Sequence, residues 1–213
     1  MKMNKHSKEC FYYGGMIKMK EKEIRKLDMQ FRAETTEDEK MEIKGYAVVF
    51  NSAETYGYTE IISKSALDNA KMDDVVLRYN HNDSFMVLAR TRNGSLKLNK
   101  DEKGLFMDAV LQDDITEHKN IFNAIKSGLI DKQSFAFTVE EDEYDYETDT
   151  RTITKIGKLF DVSVVDQPFY NATDVSIASK NDDFMEKRAK LRKQYEEKQA
   201  LKKAKEKLIA KLG

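Results

Sequence analysis

The sequence predicts an α+β protein that is mainly β, with a β-barrel flanked by a few helices and followed by a charged helical tail. Three observations support this class. Many short apolar or alternating segments are separated by turn residues. Only one internal segment, residues 116–127, has a strong helical period, and the last thirty or so residues are rich in Lys, Glu and Ala. Many short strands with few helices favour a closed or nearly closed barrel.

The strands are predicted from alternation and from apolar runs that end at turn residues. Met29, Phe31 and Ala33 alternate with polar neighbours in a first strand at residues 24–33. A second strand covers residues 43–50. Further strands are predicted at residues 60–62, 75–79, 86–91, 95–99, 105–110, 133–139, 151–156 and 159–165.

Two internal helices and one hairpin tip complete the predicted body. Residues 63–67 should form a short helix with Ser63 or Ser65 as its N-cap. In the segment 116–127, Ile121, Phe122 and Ile125 share one face, and Gly128 suits the C-terminal cap. The acidic stretch 140–149 is interpreted as a solvated hairpin tip.

The charge distribution divides the chain into a body and a tail. Residues 180–213 carry 12 basic and 6 acidic side chains, a net charge of +6, whereas residues 1–179 carry 25 basic and 32 acidic ones, a net charge of −7. We therefore predict a flexible segment at 1–22, a main domain at 23–180 and a basic helical tail at 181–213. The apolar stripe of the tail is thin, which favours a solvated or transiently helical tail over a partner-binding coiled coil.

Composition excludes several classes of function. The whole chain has a net charge of −1, which argues against a globally basic nucleic-acid binder. No apolar stretch reaches the roughly 18 residues of a membrane span, and no apolar signal-peptide core lies near the start, so we expect a soluble intracellular protein without membrane attachment. The single cysteine, Cys10, allows no intramolecular disulfide.

Metal and cofactor sites are not predicted. The histidines never lie three or four residues apart, and one cysteine cannot form a cysteine-rich zinc site. The acidic run 140–149 lacks the glycine and the spacing of an EF-hand loop. The sequence also lacks a phosphate-binding loop and a dinucleotide-binding fingerprint.

Three residues carry the candidate chemistry. His81 follows a strand directly, a position that suits a catalytic base as well as an ordinary turn histidine. Ser134 lies inside an apolar strand and becomes a candidate nucleophile only if a base reaches it. Asp161 lies in an equally apolar run, where its carboxylate is either paired in the interior or exposed on an edge strand. His118 is placed on the polar side of the helix at 116–127, at the surface, and His6 lies in the segment at the start of the chain.

Four segments together resemble the prohead, or capsid maturation, serine proteases of tailed bacteriophages. Residues 45–51 (GYAVVFN) are similar to the family's opening G-x-A-x-x-[FY]-[ND] strand, and residues 59–67 to its E-x-I-x-x-G-A-F segment. Residues 77–82 (LRYNHN) are similar to its strand ending in Asn-His. Residues 134–137 (SFAF) and 159–168 (LFDVSVVDQP) match its S-x-G-F and L-x-E-[VI]-S-[VL]-V-x-x-P strands.

The resemblance implies a fold, a mechanism and a setting. The fold would be similar to that of herpesvirus assembly proteases, a β-barrel flanked by helices. His81 would be the general base, Ser134 the nucleophile and Asp161 the third member of the triad, with no cofactor. The substrates would be the phage scaffold or the scaffolding segment of the major capsid protein, and then the enzyme itself. The protease would act in the host cytoplasm, packaged inside the procapsid, and the dimers of the herpesvirus proteases suggest a homodimer by analogy.

The sequence departs from the family pattern at three places. Ala136 stands where the family usually has Gly, Lys64-Ser65 where it often has Pro-Gly, and Asp161 where it often has Glu. Donors for the oxyanion are not evident; backbone N–H groups near Ser134 or the side chain of Arg90 are candidates. An alternative function is a non-enzymatic assembly module that keeps the protease fold. A nucleic-acid binder acting through the basic tail is the least favoured alternative.

Overall fold

The computed structural model describes residues 11–12, 15–16, 22–28, 31–166 and 182–212. Most of the segment predicted to be flexible (1–22), the boundary at 180/181 and Pro168 lie outside these residues. Within them, no helix is both long enough and apolar enough to cross a lipid bilayer.

Thirteen strands and two α-helices are assigned in the described part of the chain. The strands are β1 (Phe11–Tyr12), β2 (Gly15–Met16), β3 (Lys22–Asp28), β4 (Phe31–Thr35), β5 (Met41–Val49), β6 (Ala53–Thr55), β7 (Thr59–Ile62), β8 (Val76–Tyr79), β9 (Ala89–Arg90), β10 (Leu96–Lys100), β11 (Gly104–Leu111), β12 (Lys132–Asp145) and β13 (Thr150–Val165). The helices are α1 (Thr116–Lys126) and α2 (Asp182–Leu212), and a 3₁₀ turn covers Thr91–Asn93.

Two sheets form the body of the protein, and β1 and β2 form a separate antiparallel pair. The smaller sheet has the antiparallel order β10-β11-β5-β4. The larger has the order β3-β12-β13-β7-β6, and β8 also pairs with β13 and with β9. Strands β7 and β8 run parallel to different parts of the same edge of β13, so the long strand β13 joins most of this sheet.

The core is one continuous apolar cluster to which both sheets contribute. Ile43 and Met107 come from the smaller sheet, and Phe135 and Val162 from the larger, all fully buried. The apolar face of α1, with Ile121, Phe122 and Ile125, packs on the same cluster. Removal of this apolar surface from water is the main favourable term for folding.

The α+β, mainly β class is confirmed, but the closed barrel is not. The strand pairing among the described residues leaves both sheets open. Strand β3 belongs to the larger sheet and the next strand, β4, to the smaller one. The predicted single strand at 24–33 is accordingly divided between two sheets.

Several local predictions were wrong or too short. Residues 63–67 form successive turns with i→i+3 hydrogen bonds, such as Ala66 N–H to the Ser63 carbonyl at 3.0 Å, and not a helix. The strand predicted at 86–91 is reduced to β9 (Ala89–Arg90), and it ends where a 3₁₀ turn begins at Thr91. Residues 151–165 form one strand, and the acidic stretch 140–149 is mostly strand, with its turn confined to residues 146–149.

The helical tail is present as α2, and its first turns pack on the body. Phe184 is 4% exposed and its ring lies 5.2 Å from the ring of Tyr58 and 5.8 Å from that of Tyr144. One helical turn later, Arg188 donates to both carboxylate oxygens of Asp149, at 2.8 and 2.6 Å. The prediction of a solvated tail therefore fails for this end, because an aromatic anchor and an ion pair attach it to the β12–β13 hairpin. Side chains from residue 201 to 206 are exposed.

Phe184→Ala should destabilise the protein and release the start of α2. A buried phenylalanine truncated to alanine typically costs about 3–5 kcal/mol in free energy of unfolding, and part of this is recovered if the helix detaches. Urea unfolding and limited proteolysis of the tail measure both effects. Leu201→Ala, at a position that is 58% exposed, is the matched control and should change stability by less than about 0.5 kcal/mol. Equal stability of the two variants would show that α2 is not anchored by Phe184.

Candidate active site

Strand register places Ser134 and Asp161 on one face of the larger sheet. Ser134 of β12 lies directly opposite Ser163 of β13, and Ala136 lies opposite Asp161. Directly opposed residues of paired strands share a face, and residues two apart on a strand share it too. Phe135 and its partner on β13 alternate onto the other face, in the apolar core. The polar site therefore lies on the face of the larger sheet that is opposite to the face with Phe135.

His81 reaches this face through a strained turn after β8. Val164 of β13 accepts a hydrogen bond from the N–H of Asn80 at 2.9 Å, and both Asn80 and His81 have φ of 52°. Two successive non-glycine residues in the left-handed region are uncommon and need support from their surroundings. Asp166 supports this turn, because its carboxylate accepts hydrogen bonds from the Asn80 side chain at 2.9 Å and from the Tyr79 hydroxyl at 2.5 Å.

The three predicted site residues form one hydrogen-bonded chain. His81 Nε2 lies 2.6 Å from Ser134 Oγ, and His81 Nδ1 is hydrogen-bonded to Asp161 Oδ1. Of the two readings of Asp161, the structure supports the buried and paired one, because Asp161 is only 2% exposed. Ser134 is fully buried, and the His81 side chain is 11% exposed. A hydroxyl, an imidazole and a carboxylate linked in this order can pass a proton from oxygen to nitrogen.

The Asp161 carboxylate is held in its charged form. Burial raises its pKa, but the hydrogen bond and the charge of His81 and the ammonium of Lys22 lower it by more, so the pKa lies below its usual range. Lys22 Nζ donates to Asp161 Oδ2 at 3.0 Å, whereas His81 uses Oδ1. A charged carboxylate at this place fixes the imidazole orientation and favours a proton on Nδ1.

Sequence reasoning missed three residues that support the site. Ser163 donates to Asp161 Oδ1 at 2.9 Å, and its Oγ lies 3.1 Å from His81 Nδ1. Lys22 pairs with the other oxygen of Asp161 from strand β3, and Asp166 holds the turn before His81. Ser163 could have been found, because a polar side chain two residues from Asp161 in an apolar run must share its face. The contact of Lys22, 139 residues away in the chain, left no local signal.

His118 and Arg90 are placed differently from the sequence predictions. His118 was expected at the surface, yet it is 2% exposed; its Nδ1 accepts from the Gln112 N–H at 3.1 Å and its Nε2 lies 3.2 Å from the Val87 carbonyl. These two bonds satisfy a neutral buried imidazole. The Arg90 guanidinium donates to both oxygens of Asp74, at 3.0 and 2.6 Å, and is committed to that carboxylate instead of the site.

No arrangement of three or more His, Cys, Asp or Glu side chains that could hold a metal ion occurs among the residues that the structure describes.

The sequence of the chain matches a known family over most of its length. The site brings a serine, a histidine and a carboxylate together in one hydrogen-bonded chain, with the histidine between the other two. A model of the family described as caudovirus prohead serine protease matches residues 27–188, which include all three residues. The chain belongs to this family, which confirms the resemblance seen in the sequence. A comparison with curated proteins gave no match.

A solved structure is also similar to this chain. It is the bacteriophage T4 capsid assembly protease, gp21, which shares 10% sequence identity; the alignment covers 68% of this chain and 96% of that one, with a TM-score of 0.49.

The pairing of Asp161 should make part of the folding stability depend on pH. Because the pKa of Asp161 is lowered on folding, its contribution is fully present above the ordinary aspartate pKa of about 3.9 and is lost as the pH falls through the lower folded value. Asp161→Asn should therefore be less stable than the parent chain by about 1–3 kcal/mol at pH 7, and by less at pH 3. Urea titrations at both pH values measure this difference. Asp131→Asn, at an exposed carboxylate, is the control, and a pH-independent deficit for Asp161→Asn would contradict the prediction.

Proposed function

We propose that this chain is a serine endopeptidase of phage capsid maturation, with Ser134 as nucleophile, His81 as general base and Asp161 as the carboxylate that orients the histidine. The observation that carries the proposal is the unbroken hydrogen-bonded chain from Ser134 Oγ through His81 to Asp161. Ser134 lies 53 positions after His81, and Asp161 lies 27 positions after Ser134. The three side chains nevertheless meet in the order hydroxyl, imidazole, carboxylate, which acyl transfer requires. Membership of a serine protease family gives the reaction class.

The proposed reaction has two halves. Ser134 Oγ attacks the scissile carbonyl carbon while its proton passes to His81 Nε2, and Asp161 stabilises the resulting imidazolium. His81 then gives this proton to the leaving amine, and an ester on Ser134 remains. His81 then takes a proton from a water molecule, which attacks the ester carbon; the bond to Ser134 Oγ breaks and Oγ receives that proton from His81, so one peptide bond and one water become a carboxylate and an amine.

The proposed substrates are the phage scaffold or the scaffolding segment of the major capsid protein, and the chain itself, inside the procapsid in the host cytoplasm. The proposal takes this setting from the prohead protease family. The net charge of +6 in residues 180–213 could hold the enzyme against acidic scaffold surfaces by salt-sensitive attraction.

Ser134→Ala should abolish cleavage of the major capsid protein encoded by the same phage when the two are co-expressed. Without the hydroxyl no acyl-enzyme can form, so capsid-protein fragments should disappear from intact-mass spectra. Ser127→Ala, at an exposed serine at the end of α1, is the matched control and should process normally. Equal processing by the Ser134→Ala chain would refute its role, and would favour the non-enzymatic assembly module instead.

Asp161→Asn and Ser163→Ala should slow cleavage to different degrees. An amide at position 161 favours the wrong tautomer of His81 and should lower kcat by about 10⁴-fold, as in other serine triads. Ser163→Ala removes one donor to Asp161 and should lower kcat about tenfold, with KM unchanged and with an altered pH profile. Ser163→Thr keeps the donor and should restore most of the rate. A Ser163→Ala enzyme with the parent pH profile would make Ser163 a packing residue only.

A further inference from the structure

The hydroxyl of Ser134 is engaged by the chain's own backbone. Ser134 Oγ donates to the carbonyl oxygen of Arg25 at 2.7 Å, while it also lies 2.6 Å from His81 Nε2. A hydroxyl carries one proton, so it cannot donate to both acceptors. The Arg25 carbonyl therefore competes with the transfer of this proton to His81 as long as strand β3 stays in place, and it occupies space beside the nucleophile that a substrate carbonyl would need.

Strand β3 is bound to the nucleophile strand as an extended peptide would be. Its residues Lys22–Asp28 pair antiparallel with residues 132–138 of β12 in an unbroken register. Addition of a strand to a sheet edge is a common way to recognise an extended peptide through its main chain. The other neighbour of β12 is β13, which carries Asp161, so β3 can leave without removing Ser134, His81 or Asp161, although the contact of Lys22 with Asp161 would be lost.

Two side chains of β3, Arg25 and Glu23, each lie against a side chain of the opposite charge. Arg25 is hydrogen-bonded to both oxygens of Glu60, with its guanidinium 5.5 and 5.4 Å from the rings of Tyr56 and Phe137. These contacts form a site for a guanidinium group. The family match begins at residue 27, so most of β3 precedes it.

The second site binds a carboxylate. Glu23 accepts from Arg151 at 2.8 and 3.1 Å, and Arg151 is itself 1% exposed. Arg151 also donates to Glu60 at 3.1 Å and to Asp142 at 2.7 Å, so the guanidinium would remain partnered without β3.

We propose that the edge of β12 at residues 132–138 is the substrate-binding edge of this protease, and that β3 is a built-in occupant that a substrate strand replaces. The inference rests on the proposed function. The ligand class is an extended peptide with the pattern Glu-x-Arg, in which the arginine carbonyl lies at Ser134, its guanidinium binds Glu60 and the glutamate binds Arg151. Cleavage would then follow the arginine.

A binding experiment on an inactive chain tests this proposal. The chain carries Ser134→Ala, and in a second version also Glu23→Arg and Arg25→Glu, which place like charges against Arg151 and Glu60 and so expel β3. The probe is a fluorescent peptide with the sequence of residues 20–29 (KEKEIRKLDM), and its control is the same peptide with the Glu and Arg of the pattern exchanged. Fluorescence anisotropy should show at least tenfold tighter binding of the probe than of the control peptide by the second version. The first version should bind the probe more weakly, because β3 competes.

The outcomes separate this proposal from the proposed function. Equal binding of both peptides by the second version, or equal binding of the probe by both versions, would overturn the assignment of the edge. If the second version does not unfold cooperatively, the milder Arg25→Ala chain replaces it. If the Arg25→Ala chain also fails to fold, β3 is a permanent strand, and this result too would overturn the proposal. Catalysis is not measured, so an inactive Ser134 would leave these results unaffected.

Discussion

The register between β12, β13 and β8 is the constraint on which the rest of the site depends. The antiparallel pairing of Ser134 with Ser163 brings the hydroxyl to the same face as Asp161, and the parallel pairing of β8 brings His81 to the end of that face. A shift of one residue in either pairing would turn a site group into the apolar core and a core group into the site. The core residues Phe135 and Val162 resist such a shift, because it would expose them. The same packing that stabilises the sheet thus fixes the chemistry.

Glu23, Arg25, Glu60 and Arg151 form a buried network of two acidic and two basic side chains. Burial lowers the pKa of Arg25, but Glu60 and Glu23 raise it by more, so the guanidinium stays charged. In such networks the electrostatic gain mostly offsets the cost of removing charges from water. This offset between electrostatic gain and desolvation cost is compatible with the proposed exchange of β3. The charge pairs define the register of the strand, and another strand with the same charge pattern could form the same pairs.

The tail helix α2 connects the charge asymmetry of the chain to its structure. Its first turns are attached to the β12–β13 hairpin by Phe184 and by the pairing of Arg188 and Arg192 with Asp149. The hydrogen bond from Arg188 lowers the pKa of Asp149, which keeps this pair charged at neutral pH. The start of α2 thus packs on the hairpin formed by β12 and β13, the two strands that carry Ser134 and Asp161.

The sequence determined the mainly β class, most strands, both long helices and the three residues that meet at the site, because alternation, apolar runs and the motifs around His81, Ser134 and Asp161 are local signals. Tertiary structure alone decided which strands pair, and hence the open sheets, the burial of His118 and the docking of α2. It also decided the contacts of Lys22 and Arg25 with the site. These depend on residues more than a hundred positions apart in the chain, and a short window of sequence carries no record of a contact at that separation.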